Sequence, residues 1–304
     1  MTDSNATHSD RPLGHGTAYL LAALSNIIWG TPPVVTRAIV GDVPPLTLSF
    51  LRWSLALLVL SPLVWPRLRQ QWPMVRRHFR SLFLLATFMT AGSTLAVIAV
   101  YFTSATNAVL VNASQPAVTA VMALLIAGTW LSRQQKFGIA FAFTGIVIMI
   151  CKGSLQTLLT LDINIGDLIM LSAVCGWSLY SVQLGRRDYR PTADVMMFII
   201  ALSGAVLLLP LCLFEMSRAP TFNLSGGVVI SICYLALFPT LFATYLWNHV
   251  LPAIGPNRAS IFGNLIPVSG AALAVIFLNE KLHHYHIIGA ALVMLGIWLA
   301  IRRA

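Results

Sequence analysis

The chain contains charge-free stretches far longer than the core of a soluble protein requires. They run over residues 16–36, 81–132, 195–214, 219–257, 259–279 and 282–301. A helix that crosses the hydrocarbon core of a bilayer needs roughly 20 apolar residues, so the two longest stretches must each hold two helices. Only 9% of the residues are charged and 58% are hydrophobic, which excludes a water-soluble domain. The sequence therefore predicts an all-α membrane protein.

Turn signals near residues 103–106 and 251–256 divide the two longest stretches. Ten transmembrane helices result, at about residues 17–39, 45–65, 81–102, 106–128, 136–151, 165–184, 194–214, 226–250, 257–278 and 284–301. Residues 1–16 are polar and contain no apolar signal segment, so we expect them to form a disordered cytoplasmic tail.

The basic residues predict the orientation, because loops on the cytoplasmic side of a membrane protein are enriched in Lys and Arg. If both termini are cytoplasmic, the outer side holds only Arg37, Lys152, Arg218 and Lys281. The inner side then holds Arg11, Arg67, Arg69, Arg76, Arg77, Arg80, Arg133, Lys136, Arg186, Arg187, Arg190, Arg258, Arg302 and Arg303. This distribution predicts a multi-pass protein of the bacterial inner membrane. It does not predict a nucleic-acid-binding face, despite the net charge of +10.

The chain repeats itself with an offset of about 151 residues. This shift superposes Ala108 on Ala259, Pro116 on Pro267, Gly138 on Gly289 and Gly145 on Gly296. We expect two five-helix repeats, at residues 17–152 and 165–302. Because five is an odd number, the second copy enters the membrane from the opposite side, and the repeats are inverted. Two inverted halves are typical of carriers that work by alternating access.

Several motifs in this order resemble the drug/metabolite transporter superfamily, EamA type. They are LSNIIWG at residues 24–30, LRWSLA at 51–56, NASQP at 112–116, LIPV at 265–268 and NEK at 279–281. Within that family the chain is most similar to YddG-type bacterial amino-acid exporters. The resemblance implies a ten-helix carrier whose substrates include amino acids. One position departs from the duplication, because Glu280 has Thr129 as its counterpart.

Polar and aromatic side chains on common helix faces are the candidate substrate contacts, because such residues in hydrocarbon face either a cavity or a partner helix. Seven residues are predicted to surround one central cavity: Asn26, Trp29, Asn112, Gln115, Trp177, Tyr180 and Tyr245. The alternative for the amides is interhelical hydrogen bonding, and for the aromatic residues it is anchoring at the membrane interface.

Arg52 is the basic residue that lies well inside a predicted span. Such an arginine commonly extends outward to the interface or caps free carbonyl groups. The functional alternative is a counter-charge for a substrate carboxylate. The nine acidic residues all fall in predicted tails, loops or helix ends, so no carboxylate is expected at the centre of the membrane.

The residues do not favour an enzyme, because the predicted spans contain no nucleophile paired with a base. His283, His284 and His286 lie together, but without a Cys or Asp cluster they do not predict a metal site. The four cysteines lie in or at the edge of spans, and no disulfide and no cofactor is expected. The leading hypothesis is a transporter that exports small neutral or zwitterionic metabolites, with amino acids, including aromatic ones, as the expected substrates. A channel, or a carrier of another metabolite or drug class, is the alternative. The sequence does not fix the oligomeric state, and a monomer is compatible with it.

Overall fold

The computed structural model describes residues 15–128, 132–154, 156, 164–186, 189, 191–218, 224–254 and 262–301. All regular secondary structure in these ranges is helical, as the sequence predicts. Residues 1–14 of the predicted tail and the start of the ninth predicted span lie outside the described residues. The last two residues of that predicted tail, His15 and Gly16, are helical instead.

Thirteen α-helices and one π-helical segment are described. The first half contains α1 (His15–Gly30), α2 (Pro32–Ala38), α3 (Pro45–Arg77), α4 (Phe79–Phe102), α5 (Ala105–Asn112), α6 (Gln115–Ala127) and α7 (Arg133–Ile150). The second half contains α8 (Ile165–Gly185), α9 (Ala193–Arg218), α10 (Gly226–Leu235), the π-helix (Ala236–Phe242), α11 (Ala243–Ile254), α12 (Leu265–Leu278) and α13 (His284–Ile301).

The described helices include six segments that are long and apolar enough to cross a membrane, and the bent pair α5 and α6 adds a seventh. Three shorter apolar helices lie at residues 136–150, 265–278 and 284–296. The chain is therefore an all-α protein with several candidate membrane spans, while the expected count of ten crossings is not established by helix length alone.

The longest helix, α3, extends well past the predicted span of residues 45–65. It continues to Arg77 through a polar segment rich in Arg and Gln, two residue types that favour helix. At about 1.5 Å per residue, α3 is longer than the hydrocarbon core is thick, so its C-terminal end projects beyond the membrane.

At Pro32 and Pro239, two of the prolines within predicted spans, a neighbouring hydroxyl group takes the place of the missing amide donor. Proline has no amide hydrogen and so leaves a carbonyl group of the preceding turn without its usual donor. The Thr31 hydroxyl donates to the carbonyl of Ile28 at 2.8 Å, before Pro32. The Thr240 hydroxyl donates in the same way to the carbonyl of Leu235, four residues before Pro239, at 2.8 Å. Both carbonyls therefore keep a hydrogen-bond partner.

Two carboxylates cap the starts of helices from distant positions in the chain. Glu215, near the end of α9, accepts the backbone N–H groups of Leu46 and Thr47 at 3.2 and 2.7 Å. Glu280 accepts those of Ala105 and Thr106, both at 2.9 Å. The first N–H groups of a helix have no partner within it, and the helix dipole favours a negative charge there. Glu280 of the NEK motif thus has a structural partner at α5.

The helix contacts follow a reciprocal pattern between the two halves. Helix α4 packs on α8, and the matching helices of the other half, α11 and α1, also pack together. The contact of α6 with α8 has its counterpart in that of α12 with α1. Two further pairs, α3 with α9 and α7 with α13, join helices that occupy equivalent places in the two halves.

Glycines at these crossings allow the helices to approach closely. A Cβ atom on Gly145 would lie 2.5 Å from the carbonyl oxygen of Gly289, and one on Gly296 would lie 2.4 Å from that of Gly138. These four glycines are the pairs that the internal repeat superposes, so the α7–α13 contact is reciprocal. Small residues at helix contacts are the usual solution in membranes, where van der Waals packing drives association.

Gly145→Ala should therefore lower the thermal stability of the detergent-solubilised protein, because the new methyl group meets backbone atoms that cannot rotate away. Overpacking of this kind costs about 1–3 kcal/mol. The control is Gly226→Ala at the start of α10, where a Cβ atom meets nothing within 4 Å. The measurement is the midpoint of thermal unfolding. Equal midpoints for Gly145→Ala and the wild type would contradict the close contact.

Candidate functional site

A cavity of about 490 Å³ lies between the two halves of the protein. Its wall takes residues from ten α-helices of both halves and from the π-helix. They include Trp29, Pro33, Arg52, Trp53, Met89, Ser93, Asn112, Gln115, Trp177, Tyr180, Met197, Pro239, Thr240, Thr244, Trp247 and Ile266. Pro32 and Pro239 line this wall, and so do Asn112 and Gln115 at the break before Pro116. The bends in the helices therefore coincide with the cavity, as expected where irregular backbone in a membrane lines a cavity.

Trp29 connects the first helix to the π-helix across the cavity. Its indole N–H donates to the carbonyl oxygen of Pro239 at 3.0 Å. Its ring lies against that of Trp247, with 5.4 Å between the ring centroids and a tilt of 59°. The indole is thus fixed in orientation by a hydrogen bond at its polar edge and an aromatic contact at its face.

Trp177 and Tyr180 line the cavity from α8, one turn apart on the same face. The indole of Trp177 packs over Gly92 of α4, where an added Cβ atom would lie 3.1 Å from its Cδ1 atom. On the neighbouring side of α8, the hydroxyl groups of Ser178 and Thr119 are hydrogen-bonded at 2.9 Å. Close packing at Gly92 and this hydroxyl pair hold the aromatic face of α8 towards the cavity.

Asn112 and Gln115 lie on either side of the break between α5 and α6, and both line the cavity. The two helices are bent by 44° at this break. Because Pro116 lacks an amide hydrogen, it cannot donate to the carbonyl of Asn112. The side-chain oxygen of Asn112 is buried and accepts no hydrogen bond within the described residues.

The structure does not bring the remaining two predicted residues to the cavity wall. Asn26 is buried, and its side-chain amide donates to the carbonyl of Ala22 at 2.7 Å within its own helix. Tyr245 is 59% exposed and lies against the ring of His249, with 4.2 Å between the ring centroids. Five of the seven predicted residues thus share one cavity, and their binding roles stay predictions.

Arg52 and its neighbours contribute a polar part of the wall that the sequence did not resolve. Arg52 is 6% exposed, so it does not extend outward to the interface. Its Nη2 atom donates to the hydroxyl of Ser93, and its guanidinium lies 5.0 Å from the ring centroid of Trp53. Trp53 itself packs against Gly204 of α9. Arg52 was considered from the sequence, whereas Ser93 and Trp53 were not.

The sequence-based prediction also omitted a row of residues on one face of the eighth predicted span. Thr240, Thr244 and Trp247 are spaced at i, i+4 and i+7, which places them on one helix face. All three line the cavity. This spacing is readable in the sequence. Tyr245, the residue predicted from this span, lies two residues before Trp247 and therefore on another face of the helix.

A second polar cluster lies at the start of α8, where Asp167 is fully buried. Its carboxylate accepts the hydroxyl of Thr103 at 2.5 Å and the side-chain amide of Asn107 at 3.2 Å. The Nε2 atom of His286 lies 2.7 Å from the side-chain oxygen of Asn107, and His286 Nδ1 accepts the backbone N–H of His283. This arrangement fits a neutral His286 and ties α5, α8 and α13 together. Since its polar groups are paired within the chain, it is structural in character.

A further hollow of about 610 Å³ lies where α7 ends and α13 begins. Lys152, Gly153 and Tyr285 are among the residues that line it. Its wall comes only from these two helix ends and the turn after α7. The central cavity, with walls from both halves and a convergent set of polar and aromatic groups, is therefore the better candidate site.

The chain matches the model of the EamA-like transporter family over residues 16–151 and 164–302. The uncharacterized transporter YyaM of Bacillus subtilis is 33% identical over 66% of this chain and 65% of that relative, slightly less than two thirds of its length. A probable amino-acid metabolite efflux pump of Salmonella typhimurium is 24% identical over 92% of this chain and 93% of the pump.

A solved crystal structure with 20% sequence identity superposes with a TM-score of 0.61, covering 94% of this chain and 97% of that one. At this identity the likeness concerns the fold alone. The family model, in contrast, covers both halves of the chain and nearly its whole length. This protein therefore belongs to the EamA-like transporter family.

Proposed function

We propose that the protein exports small neutral or zwitterionic metabolites, amino acids including aromatic ones among them, across the bacterial inner membrane. The observation that carries this proposal is the central cavity, which combines Trp29, Trp177 and Tyr180 with amide and hydroxyl groups from both halves. Aromatic faces bind apolar side chains, while a few convergent polar groups orient a ligand. The name of the Salmonella relative points to the same class of substrate.

Alternating access is the mechanism we propose, with residues 17–152 and 165–302 as two inverted five-helix repeats. The reciprocal helix contacts support this arrangement, since exchanging the halves exchanges α4–α8 with α11–α1 and α6–α8 with α12–α1. Six single spans, one bent pair and three shorter apolar helices are compatible with ten crossings. Rocking of one repeat against the other would open the same cavity to each side in turn.

The cytoplasmic location of both termini is part of the proposal and rests on the distribution of Lys and Arg among the loops. In this orientation the polar end of α3 lies in the cytoplasm. There Arg67 forms an ion pair with Asp194 at the start of α9, at 2.6 Å. This exposed pair contributes little to stability but joins the two halves on the side that carries most of the basic residues.

A membrane channel is the alternative from a different class, and a carrier for another metabolite or drug class is the alternative within the family.

A counterflow experiment distinguishes a channel from a carrier. Purified protein in liposomes preloaded with unlabelled phenylalanine should accumulate labelled phenylalanine transiently above its external concentration, because a carrier exchanges one bound molecule for another. Simple equilibration without an overshoot, at any preloading concentration, would instead support a channel.

Replacement of Trp177 tests the aromatic wall. Trp177→Ala should weaken the apparent affinity for phenylalanine several-fold, because an aromatic pair contributes about 0.5–1.5 kcal/mol beyond the buried area. Threonine transport should change less. The matched control is Trp72→Ala, since Trp72 lies on the projecting end of α3 and is 51% exposed. Initial rates over a range of substrate concentrations measure the effect. Unchanged phenylalanine affinity in a well-folded Trp177→Ala protein would remove this residue from the site.

Single-cysteine labelling tests alternating access. With the four native cysteines replaced, a cysteine at position 112 should react with membrane-impermeant maleimide from the cytoplasmic side in one state and from the periplasmic side in the other. Substrate should change the ratio of the two rates. A cysteine at position 245, where Tyr245 is exposed and outside the cavity, serves as the control. Simultaneous labelling of position 112 from both sides at rates that substrate leaves unchanged would contradict the mechanism.

A further inference from the structure

Arg52 is a buried cation without a counter-charge in the described part of the chain. It lies seven residues, or about two turns, into α3 and is 6% exposed. The side chain reaches the cavity wall, donates to the Ser93 hydroxyl and leaves its Nε atom without a partner. Among the described residues no Asp or Glu lines the cavity, and the ion pair that these residues form joins Arg67 to Asp194 instead.

An arginine in this position remains charged, because its guanidinium does not lose its proton in proteins. Burial of an ion without a partner is unfavourable, and ionisable groups in membrane spans normally pair with another charge or face a functional cavity. The contact with the Trp53 ring compensates part of the charge, but it leaves N–H donors unused. The missing partner is therefore an anion that enters the cavity.

We propose that Arg52 binds the carboxylate of the transported substrate and so restricts transport to small carboxylates, zwitterionic amino acids included. This inference rests on the proposed transport function and deepens it. The planar guanidinium fork matches a carboxylate with two parallel N–H···O bonds. A phosphate is less well suited, since its second charge would lack a partner: Arg52 is the basic residue among those that line the cavity.

The rest of the wall accommodates the other parts of an amino acid. The unpaired side-chain oxygen of Asn112 is an acceptor that a substrate ammonium group can use. Met89, Trp177 and Tyr180 offer an apolar surface for the side chain. A single fixed positive charge without a carboxylate in the wall also disfavours cationic compounds, which would add a second positive charge to the cavity.

Ligand binding to purified protein, followed by tryptophan fluorescence or thermal shift, tests the inference without requiring transport. The probes are phenylalanine, 3-phenylpropionate, which lacks the ammonium group, and phenylalaninamide, which lacks the carboxylate; leucine and leucinamide form a second pair. The wild type should bind both acids and discriminate against each amide by at least about tenfold, since the amide leaves the charged donor unpaired.

Arg52→Gln should weaken phenylalanine and 3-phenylpropionate binding by at least about tenfold and bring acid and amide affinities close together. The affinity of Arg52→Lys for both acids should lie between those of the wild type and of Arg52→Gln, because lysine keeps the positive charge but lacks the planar guanidinium fork. The matched control is Arg67→Gln on the same helix, where the arginine is 66% exposed and outside the cavity; its affinities should equal those of the wild type.

Equal binding of acids and amides by the wild type would overturn the inference, whether or not Arg52→Gln folds. So would transport of uncharged or cationic compounds by a protein that binds neither acid, and in that case the carrier function would stand. Selective acid binding that depends on Arg52, but without transport in liposomes, would leave the inference intact and contradict the proposed function. Full acid selectivity in Arg52→Gln would assign the recognition to another part of the wall.

Discussion

Hydrocarbon offers no hydrogen-bond partners, and this single constraint determines which polar groups of the chain can be left unpaired. Each backbone N–H and C=O group in the bilayer must find a partner within the protein. Helices satisfy most of them. At helix starts and breaks the chain supplies side chains: Glu215 and Glu280 accept N–H groups of α3 and α5, and the hydroxyls of Thr31 and Thr240 donate to the carbonyls that Pro32 and Pro239 leave without their usual donor.

The same accounting shows which buried polar groups are paired within the chain. The carboxylate of Asp167 is buried, but it accepts hydrogen bonds from Thr103 and Asn107 and needs nothing from outside. Arg52 and Asn112, in contrast, each keep a buried polar atom without a partner and line the central cavity, as does Trp53. The hydroxyl groups of Ser49, Thr94, Thr106 and Ser203 are also unpaired within the described residues but lie outside its wall, so the position at the cavity is what distinguishes the first group. Unsatisfied buried groups are costly and need an explanation. For Arg52 and Asn112 we propose a transported molecule that supplies the missing partners.

Much of the architecture was predictable because hydropathy and charge report directly on the bilayer. The all-α class and most helix positions follow from the apolar stretches, and the α7–α13 crossing uses the glycines that the internal repeat superposed. The breaks were harder to place. Residues 106–128 were predicted as one span, which the structure divides before Pro116 into α5 and α6. The π-helix before α11 changes the phase of the following residues.

The cavity wall shows where single-helix patterns reach their limit. Trp177 and Tyr180 were found because they repeat on one face, whereas the direction of Arg52 depends on Ser93 of another helix and on the absence of a nearby carboxylate. Asn26 shares a face with Trp29, but its amide is used by Ala22 of the same helix. Periodicity identifies the face, and only the packing of several helices shows which polar groups remain available.

An experimental structure of the protein with phenylalanine bound in a lipid nanodisc tests the account most directly. The account predicts one amino-acid density in the central cavity, with a carboxylate oxygen within about 3.2 Å of the Arg52 guanidinium and the phenyl ring against Trp177. Density confined to the hollow beside Lys152 and Tyr285, or a central ligand whose carboxylate points away from Arg52, would contradict it.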